Sequence, residues 1–370
     1  MKPLFKYFAR FTINLRFLLF FPCILCARQI DTFYGPIEVQ EPVLLELIDS
    51  PVFQRLKHIH QYGVSYYTTH REEYNRYDHS IGVFAILRAQ KVSLEEQIAG
   101  LLHDVSHTAF SHVGDWIFGR EDQSEDYQNS IHSLFLEKSG LADVLQKYGF
   151  SAKRLLPENK RFPALEDSLP NLCADRIDYN IQGAYHQGFL TKEEAAILFK
   201  DLRFIQNRWI ASRLDLIKKL TRFSLFMTQN CWGSSTNYML SRWLADAILR
   251  GVDLGCISYE EIHYGTDQAI WNKLAVQKDP IIEKKMEMIT NFPTYFSLVE
   301  NIDEADLIVK SKFRGVNPWV MFGSKYFRIT EIDDQLAEEY ERVKELICKG
   351  WFIKISPKAA DPELLTESSF

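Results

Sequence analysis

The sequence predicts a mostly α-helical globular protein with a small mixed α/β part near its C-terminus. Apolar residues recur at helical spacing over much of residues 43–265, whereas residues 295–355 alternate between strand-like and helical stretches. Of the 370 residues, 46% are hydrophobic and 14% are aromatic. This composition is typical of a chain that buries a large core, and it excludes a disordered protein.

The first predicted elements are a strand pair and two helices. Residues 29–39 are predicted to form two short strands that turn at Tyr34-Gly35-Pro36. A helical pattern begins near Val43, because apolar residues recur there at helical spacing. Residues 62–78 are predicted to be a polar loop, which leads into a helix over residues 79–90.

The next predicted helix leads into the most unusual segment of the chain. Ser93 and Glu96 have the spacing of a capping box, so the helix is expected to begin there. Its apolar face ends at Leu101-Leu102 and is followed directly by His103-Asp104. A buried carboxylate needs a partner, and imidazole and carboxylate together are ligands for a divalent metal. His107 lies four residues after His103, which would place both on one helical face.

Two further residues complete a candidate metal site. His79 lies at the start of its predicted helix, and Asp175 lies at the start of a helix that also carries Asp178 and Tyr179. Taken singly, each is typical of an ordinary helix residue. Together with His103-Asp104 they form a set of two imidazoles and two carboxylates, which suits Mn, Fe, Ni or Zn better than Mg. Two to three coordination positions would stay open for water and a phosphate oxygen.

Charge and cysteine content exclude several classes of protein. The net charge is −6 and the isoelectric point is about 6.0, which argues against a nucleic-acid-coating surface. No nucleic-acid partner is therefore indicated. Cys23 and Cys26 form a CxxC pair inside an apolar segment, but no second ligand pair lies near them. Free thiols are the favoured interpretation over a zinc knuckle.

The N-terminal residues 1–28 allow two interpretations. Basic residues precede an apolar run and then Leu25-Cys26-Ala27, which is the order of a secretory signal. The alternative is an apolar helix that packs on the protein or on a membrane surface. The protein is thus expected to be either cytoplasmic or exported. Membrane contact is expected only through residues 1–28, if these residues are not cleaved off. The folded part is expected to begin near residue 29.

Four segments of the chain recur in the order and spacing of one family. They are SPVFQRLK at 50–57, RYDHSIGV at 76–83, LLHDVSHTAFSH at 101–112 and DRIDY at 175–179. These segments resemble the HD-domain phosphohydrolases, in the branch of dNTP triphosphohydrolases that includes vertebrate enzymes with a SAM and an HD domain. Weaker similarity continues at 265–267 and 314–318. The resemblance implies an HD-domain helical bundle over residues 29–200 and a helical extension with a small α/β part over 201–370.

The resemblance also implies roles for single residues. The implied metal ligands are His79, His103, Asp104 and Asp175. The implied catalytic residues are the proton donor His107, the phosphate-binding Arg76 and the nearby His112. The implied substrate-binding residues are Gln61, Tyr179 and Asp178. A nucleotide substrate, a divalent transition metal, Mg on the substrate phosphates and a homo-oligomeric state are further expectations.

The chain departs from the family pattern at two places. Gln128-Asn129 stand where family members carry a catalytic His-Glu pair, and His132 could replace it only after a shift in register. Gln182-Gly183 stand where family members carry Arg-Asp, whose aspartate contacts the sugar. The metal site is therefore expected to be intact and the substrate pocket altered.

These departures leave three functional hypotheses. The leading one is hydrolysis of a dNTP to a deoxynucleoside and tripolyphosphate. The second is a nucleotide phosphatase or phosphodiesterase, and the third is a catalytically weak regulatory protein that binds a nucleotide. A purely structural helical protein would leave His79, His103, Asp104 and Asp175 unexplained.

Overall fold

A computed structural model describes residues 27–69, 74–119, 127–157 and 160–359. Both interpretations of the N-terminal segment, and the Cys23–Cys26 pair, therefore concern residues that lie almost entirely outside the described part of the chain. Within that part, no helix combines the length and the apolar character needed to cross a bilayer.

The N-terminal part consists of helices that follow a small β-hairpin. Strands β1 (Arg28–Ile30) and β2 (Ile37–Val39) pair antiparallel, as predicted. The helices that follow are α1 (Pro42–Asp49), α2 (Pro51–Gln54), α3 (Ser65–Thr69), α4 (Arg76–Ala89), α5 (Leu94–Leu102), α6 (Val113–Phe118), α7 (Tyr127–Lys138), α8 (Leu141–Lys147), α9 (Ala174–His186) and α10 (Lys192–Asp201).

The C-terminal part combines longer helices with two small sheets. Its helices are α11 (Leu214–Met227), followed by a π-helical turn (Thr228–Trp232), α12 (Ser235–Asp253), α13 (Tyr259–Tyr264), α14 (Asp267–Val276), α15 (Pro280–Thr290) and α16 (Asp334–Lys349). Its strands are β3 (Arg203–Ile205), β4 (Arg208–Ala211), β5 (Phe296–Leu298), β6 (Leu307–Val309), β7 (Trp319–Phe322), β8 (Lys325–Arg328) and β9 (Trp351–Ile355). The sheets have the orders β3-β4-β7-β8 and β5-β9-β6. The predicted fold class, mostly α with a small mixed part, is confirmed.

One helix start differs from the prediction, and one predicted capping box is only half formed. Helix α4 begins at Arg76, inside the predicted loop, because the Asn75 side chain caps it by accepting a 2.9 Å hydrogen bond from the backbone N–H of Asp78. Ser93 caps α5 as predicted, but Glu96 does not complete the box. Its carboxylate instead accepts hydrogen bonds from the backbone N–H groups of residues 164 and 165.

Two predictions of continuous helix are wrong. Helix α5 ends at Leu102, so a turn and not a helical face relates His103 to His107. The region 190–265 contains the hairpin of β3 and β4. Gln206 and Asn207 form its turn with φ of 50° and 58°, and only a minority of non-glycine residues adopt such angles.

The described residues form two apolar cores, and the metal-ligand segment lies between them. The first core contains α1, α2, α4, α5, α7 to α11 and α16, and the second contains α12 to α15 with β6 and β9. Leu101, Leu102 and Val105 belong to the first core, whereas Ala109, Phe110 and Val113 belong to the second. The loop after α5 thus crosses from one core to the other, which fixes it at both ends.

Candidate metal centre and its cavity

Two imidazole rings meet where the first turn of α4 approaches the end of α5. The Nε2 atoms of His79 and His103 lie 3.1 Å apart. Both rings are buried, at 1% and 5% exposure. Metal–nitrogen bonds of about 2.0–2.1 Å at tetrahedral or octahedral angles place two nitrogens about 3 Å apart. The spacing of the two Nε2 atoms therefore fits two ligands of one ion.

The second nitrogen of each ring already has a partner. His79 Nδ1 lies 2.6 Å from Asp178 Oδ2, and His103 Nδ1 lies 2.8 Å from the carbonyl oxygen of Gly100. Both partners only accept hydrogen bonds, so each Nδ1 carries a proton and donates it. In the neutral rings the lone pairs then lie on the two facing Nε2 atoms. Two acceptors cannot bond to each other, whereas a cation between them satisfies both.

The carboxylates of Asp175 and Asp104 lie beside the same two nitrogens. Asp175 Oδ1 is 2.9 Å from His79 Nε2 and 3.4 Å from His103 Nε2. The Asp104 carboxylate lies 3.6 Å and 3.4 Å from those two nitrogens through its two oxygens. The structure therefore brings together all four predicted ligands.

The buried carboxylates of this centre favour a bound positive charge. Burial lowers the pKa of His79, but hydrogen bonds to Asp175 and Asp178 outweigh it and raise that pKa to about 10. Burial raises the pKa of Asp104, yet Arg76 and His103 hold it well below its usual range. A proton therefore occupies His79 when no cation is bound, and a divalent ion would replace it. The donor set and its charge fit a divalent transition metal.

Asp178 supports the centre from behind and does not face the cavity. It is 0% exposed, and its carboxylate accepts hydrogen bonds from Tyr34 Oη at 2.8 Å and from Gln182 Nε2 at 2.9 Å, in addition to the contact with His79. The predicted substrate-binding role of Asp178 is thus replaced by a positioning role, since a fully buried side chain with these partners cannot reach a substrate. Gly82 gives it space, because a Cβ there would lie 2.0 Å from Asp178 Oδ1.

Arg76 and His107 flank Asp104 on the cavity side. The Arg76 guanidinium donates to Asp104 Oδ2 and, through Nε, to Ser111 Oγ at 3.0 Å. His107 Nε2 lies 3.2 Å from Asp104 Oδ1, and His107 Nδ1 is buried with no partner among the described residues. Burial and the charge of Arg76 lower the pKa of His107 to about 3. The ring is therefore neutral at neutral pH in this state, with one nitrogen available.

The loop from His107 to His112 is held by two residues to which the sequence analysis assigned no role. Arg55 donates to the carbonyl oxygens of Val105 and His107 at 3.1 and 2.6 Å. Asp267, which is 0% exposed, accepts from the backbone N–H of Phe110 at 2.6 Å. Phe110 has φ of 59°, so these contacts hold a loop conformation that an L-residue seldom adopts. Only the weak similarity at 265–267 gave any sequence signal for Asp267.

The metal centre opens into a cavity of about 1190 Å³. Three more predicted residues lie on its wall, namely Gln61, Tyr179 and His112. Gln61 Oε1 is buried without a hydrogen-bond partner among the described residues, so the amide has an unused acceptor. Tyr179 packs edge-on against Trp232, with ring centroids 5.2 Å apart. His112 is half-exposed and lies 3.0 Å from Asp115 Oδ2.

Comparisons with known proteins identify the family. A family model for the HD domain matches residues 76–179, which include all four residues of the metal centre. The chain is 32% identical to the uncharacterized protein YdhJ of Bacillus subtilis, over 88% of this chain and 98% of that protein. It is 30% identical to the metal-dependent phosphohydrolase cns2 of Cordyceps militaris, over 70% of this chain and 76% of that protein. The chain belongs to the HD-domain metal-dependent phosphohydrolase superfamily.

Two further similarities extend this result. The deoxynucleoside triphosphate triphosphohydrolase SAMHD1 of Danio rerio is 35% identical over 36% of this chain and 24% of that protein. The crystal structure of a phosphohydrolase from Bacteroides thetaiotaomicron superposes with a TM-score of 0.66 at 16% identity, covering 89% of this chain and 99% of that one. The latter likeness concerns the fold alone. The HD protein described here is a hydrolase.

The structure explains one of the two departures from the HD pattern. Gln182 is 1% exposed and does not line the cavity, because its amide is bound to Asp178. A Cβ on Gly183 would lie 2.8 Å from the Phe223 ring and 3.0 Å from Tyr62 Oη. Tyr62 lines the cavity. A longer side chain at 183 is therefore excluded by Phe223 and Tyr62, and Tyr62 takes its place in the wall.

At the second departure, two amide side chains stand where family members carry the His-Glu pair. Gln128 lines the cavity and its Nε2 donates to the His103 carbonyl oxygen at 2.5 Å. Asn129 lines the cavity as well. His132 is 2% exposed, lies behind this wall and contacts Ser106 Oγ at 2.7 Å through Nδ1. Gln128 therefore positions His103, and His132 does not substitute for the missing catalytic pair.

Proposed function

We propose that this HD hydrolase acts on nucleotides, with dNTPs as the favoured substrates and deoxynucleoside and tripolyphosphate as products. One observation carries the proposal: a single cavity joins the metal centre to aromatic and cationic walls. Tyr179 and Trp232 offer ring faces and edges to a base or sugar, and Arg76 and Arg176 offer charge to phosphates. The cavity volume of about 1190 Å³ accommodates a nucleotide with its phosphates.

Each residue of the centre has a role in this proposal. His79, His103, Asp104 and Asp175 would hold the ion, which when bound supplies Lewis-acid activation of water and of the phosphate. Arg76 Nη1 is bound to Asp104, and no hydrogen bond within the described chain engages its Nη2. Nη2 would bind a phosphate oxygen in this proposal. In the neutral ring of His107, Nε2 donates to Asp104 and Nδ1 carries the lone pair, so Nδ1 would accept a proton from the attacking water and pass it to the leaving oxygen.

The dNTP preference is supported by the similarity to SAMHD1 over 36% of this chain. Gln61 and Tyr179 would contact the sugar, with Tyr62 in the space where other family members carry an aspartate. A nucleotide monophosphatase or phosphodiesterase is the second candidate. Gln128 and Asn129 in the cavity wall favour this second candidate, because neither amide can transfer a proton in place of the His-Glu pair.

The proposal is tested by product analysis. The full chain, loaded in turn with Mn, Fe, Ni or Zn, is incubated with dNTPs, NTPs and nucleoside monophosphates, and the phosphorus products are resolved by ³¹P NMR. Tripolyphosphate is the expected product, and it is lost in Asp104→Ala but kept in the exposed control Asp143→Ala. Orthophosphate alone from monophosphates would replace the proposal with the phosphatase. No turnover with any metal would favour a regulatory nucleotide-binding protein.

A further inference from the structure

A second group of cations lines the cavity on a segment distant in sequence from the metal ligands. Residues 310–314, here the basic segment, connect β6 toward β7 and contain Lys310, Lys312 and Arg314. All three line the same cavity as His103, Asp104 and Asp175. The function derived above uses none of them.

The basic segment is anchored in the protein. It follows directly from β6, whose Val309 is paired with Trp351 of β9. Phe313 packs edge-on against Tyr340 with ring centroids 5.1 Å apart. Just after the segment, the backbone N–H of Val316 donates to the buried Ser224 Oγ at 3.1 Å. The cations are therefore carried on a fixed part of the wall, which lowers the entropic cost of binding a ligand there.

The charges of Lys310 and Lys312, the two lysines of the basic segment, are not balanced by an ion pair within the described chain. Lys310 and Lys312 are exposed, and neither forms an ion pair with a described residue. The carboxylates that line the cavity have other partners: Asp104 has Arg76, Asp115 has His112, Asp175 has the two imidazoles, Glu166 has Arg176 at 3.9 Å, and Asp167 accepts from the backbone N–H of Ser168.

Arg314 links the segment to the metal centre. Arg314 and Tyr179 line the same cavity. Burial and the charge of Asp175 raise the pKa of Tyr179, and the charges of Arg176 and then Arg314 oppose that rise. Tyr179 lies one helical turn after Asp175 on α9. Arg314 thus belongs to the part of the cavity that a substrate bound beside Tyr179 would reach, and Lys310 and Lys312 line the same cavity.

We propose that Lys310, Lys312 and Arg314 bind the distal phosphates of a nucleoside polyphosphate whose reacting phosphate lies at the metal centre. This inference rests on the proposed nucleotide function and deepens it. In this role the basic segment favours substrates with a longer phosphate chain. Lysine ammonium groups suit this role because they contact several phosphate oxygens without a fixed geometry.

The test compares two double variants of the full, metal-loaded chain with equal loss of charge. Lys310→Ala/Lys312→Ala removes cavity lysines, whereas Lys278→Ala/Lys325→Ala removes exposed lysines that do not line the cavity. Binding of inorganic tripolyphosphate and of orthophosphate is measured by calorimetry. For the first variant, the Kd for tripolyphosphate is expected to rise roughly tenfold more than the Kd for orthophosphate, since charge-assisted bonds to the chain are lost. The control variant should show no such difference.

The same variants are then assayed with a dNTP and its dNMP. The expected result is a rise in KM for the triphosphate with little change in kcat, because the lost contacts bind a part of the substrate that does not react. Equal tripolyphosphate affinity in both double variants would overturn the inference, as would an equal loss for orthophosphate. If the wild type hydrolyses no nucleotide, the proposed function fails, and the tripolyphosphate titration still decides whether the basic segment binds a phosphate chain.

Discussion

Asp178→Asn is the substitution that most directly examines how the metal centre is held. The Asp178 carboxylate is fully buried and receives donors from three side chains, namely Tyr34, Gln182 and His79. An asparagine amide offers one acceptor oxygen and one donor nitrogen in the same space. At least one of the three donors must therefore lose its partner.

The expected magnitude follows from which donor is lost. If the amide nitrogen faces Tyr34 or Gln182, a buried donor is unsatisfied, which costs about 1–3 kcal/mol of stability. If it faces His79 Nδ1, the ring must place its proton on Nε2, the atom that faces His103. The lone pair needed for the metal is then lost. Loss of such a supporting partner typically weakens metal binding about 10–100-fold.

The assay is a competition titration of the metal against a chelator, combined with chemical denaturation. We expect Asp178→Asn to bind its metal roughly 10–100-fold more weakly than the wild type. Asp143→Asn, on an exposed position of α8, is the matched control and should not change the affinity. A folded Asp178→Asn protein with a metal Kd within about twofold of the wild type would refute the positioning role.

Three further outcomes are expected from denaturation experiments. Gly82→Ala should destabilise the protein and weaken metal binding, because the alanine Cβ would lie 2.0 Å from Asp178 Oδ1. Alanine in place of glycine normally stabilises a helix by about 1 kcal/mol, so a more stable variant would contradict this prediction. Asp267→Ala should destabilise the protein, because the backbone N–H groups of His60 and Phe110 lose their acceptor, at about 1–3 kcal/mol for each group left buried and unsatisfied; a total loss below about 1 kcal/mol would show that Asp267 does not hold this loop. Burial lowers the pKa of His132 from 6.5 to about 4. As the pH drops, the unfolded chain therefore binds a proton at this histidine before the folded chain does. The free energy of unfolding should fall by about 3 kcal/mol between pH 6.5 and about pH 4. His132→Gln should lose that much less over the same range, and an unchanged pH dependence would show that His132 is not the responsible group.

Local patterns predicted most helices, whereas long-range contacts caused the differences. The apolar period of α5 and the cap at Ser93 are properties of adjacent residues, and both are present in the structure. Glu96 satisfies the same local rule, but its carboxylate binds backbone groups 68 and 69 residues away. The hairpin of β3 and β4 was missed because its strands are only 3 and 4 residues long and lie between helices. Asn207 in its turn was the usable signal, since asparagine tolerates positive φ.

The metal ligands could be found from the sequence because their types are rare in combination. Asp175 and Asp178 could not be told apart in this way, since both are aspartates in the first two turns of α9. The family resemblance assigned Asp175 to the metal and Asp178 to the substrate, and burial in the structure corrects the second role: Asp175 lines the cavity, whereas Asp178 is fully buried against α4. The basic segment was equally hidden, because Lys310 and Lys312 follow Asp175 by more than 130 residues.

The central claim is that His79, His103, Asp104 and Asp175 hold one divalent ion, and anomalous scattering from crystals of the metal-loaded chain tests it most directly. We expect one peak within about 2.0–2.3 Å of the two Nε2 atoms and of one oxygen from each carboxylate. Glu166, Cys173 and Asp175 form a second group of donors that lie within 4.8 Å of one another. A peak at that second group, or no peak beside His79 and His103, would contradict the account.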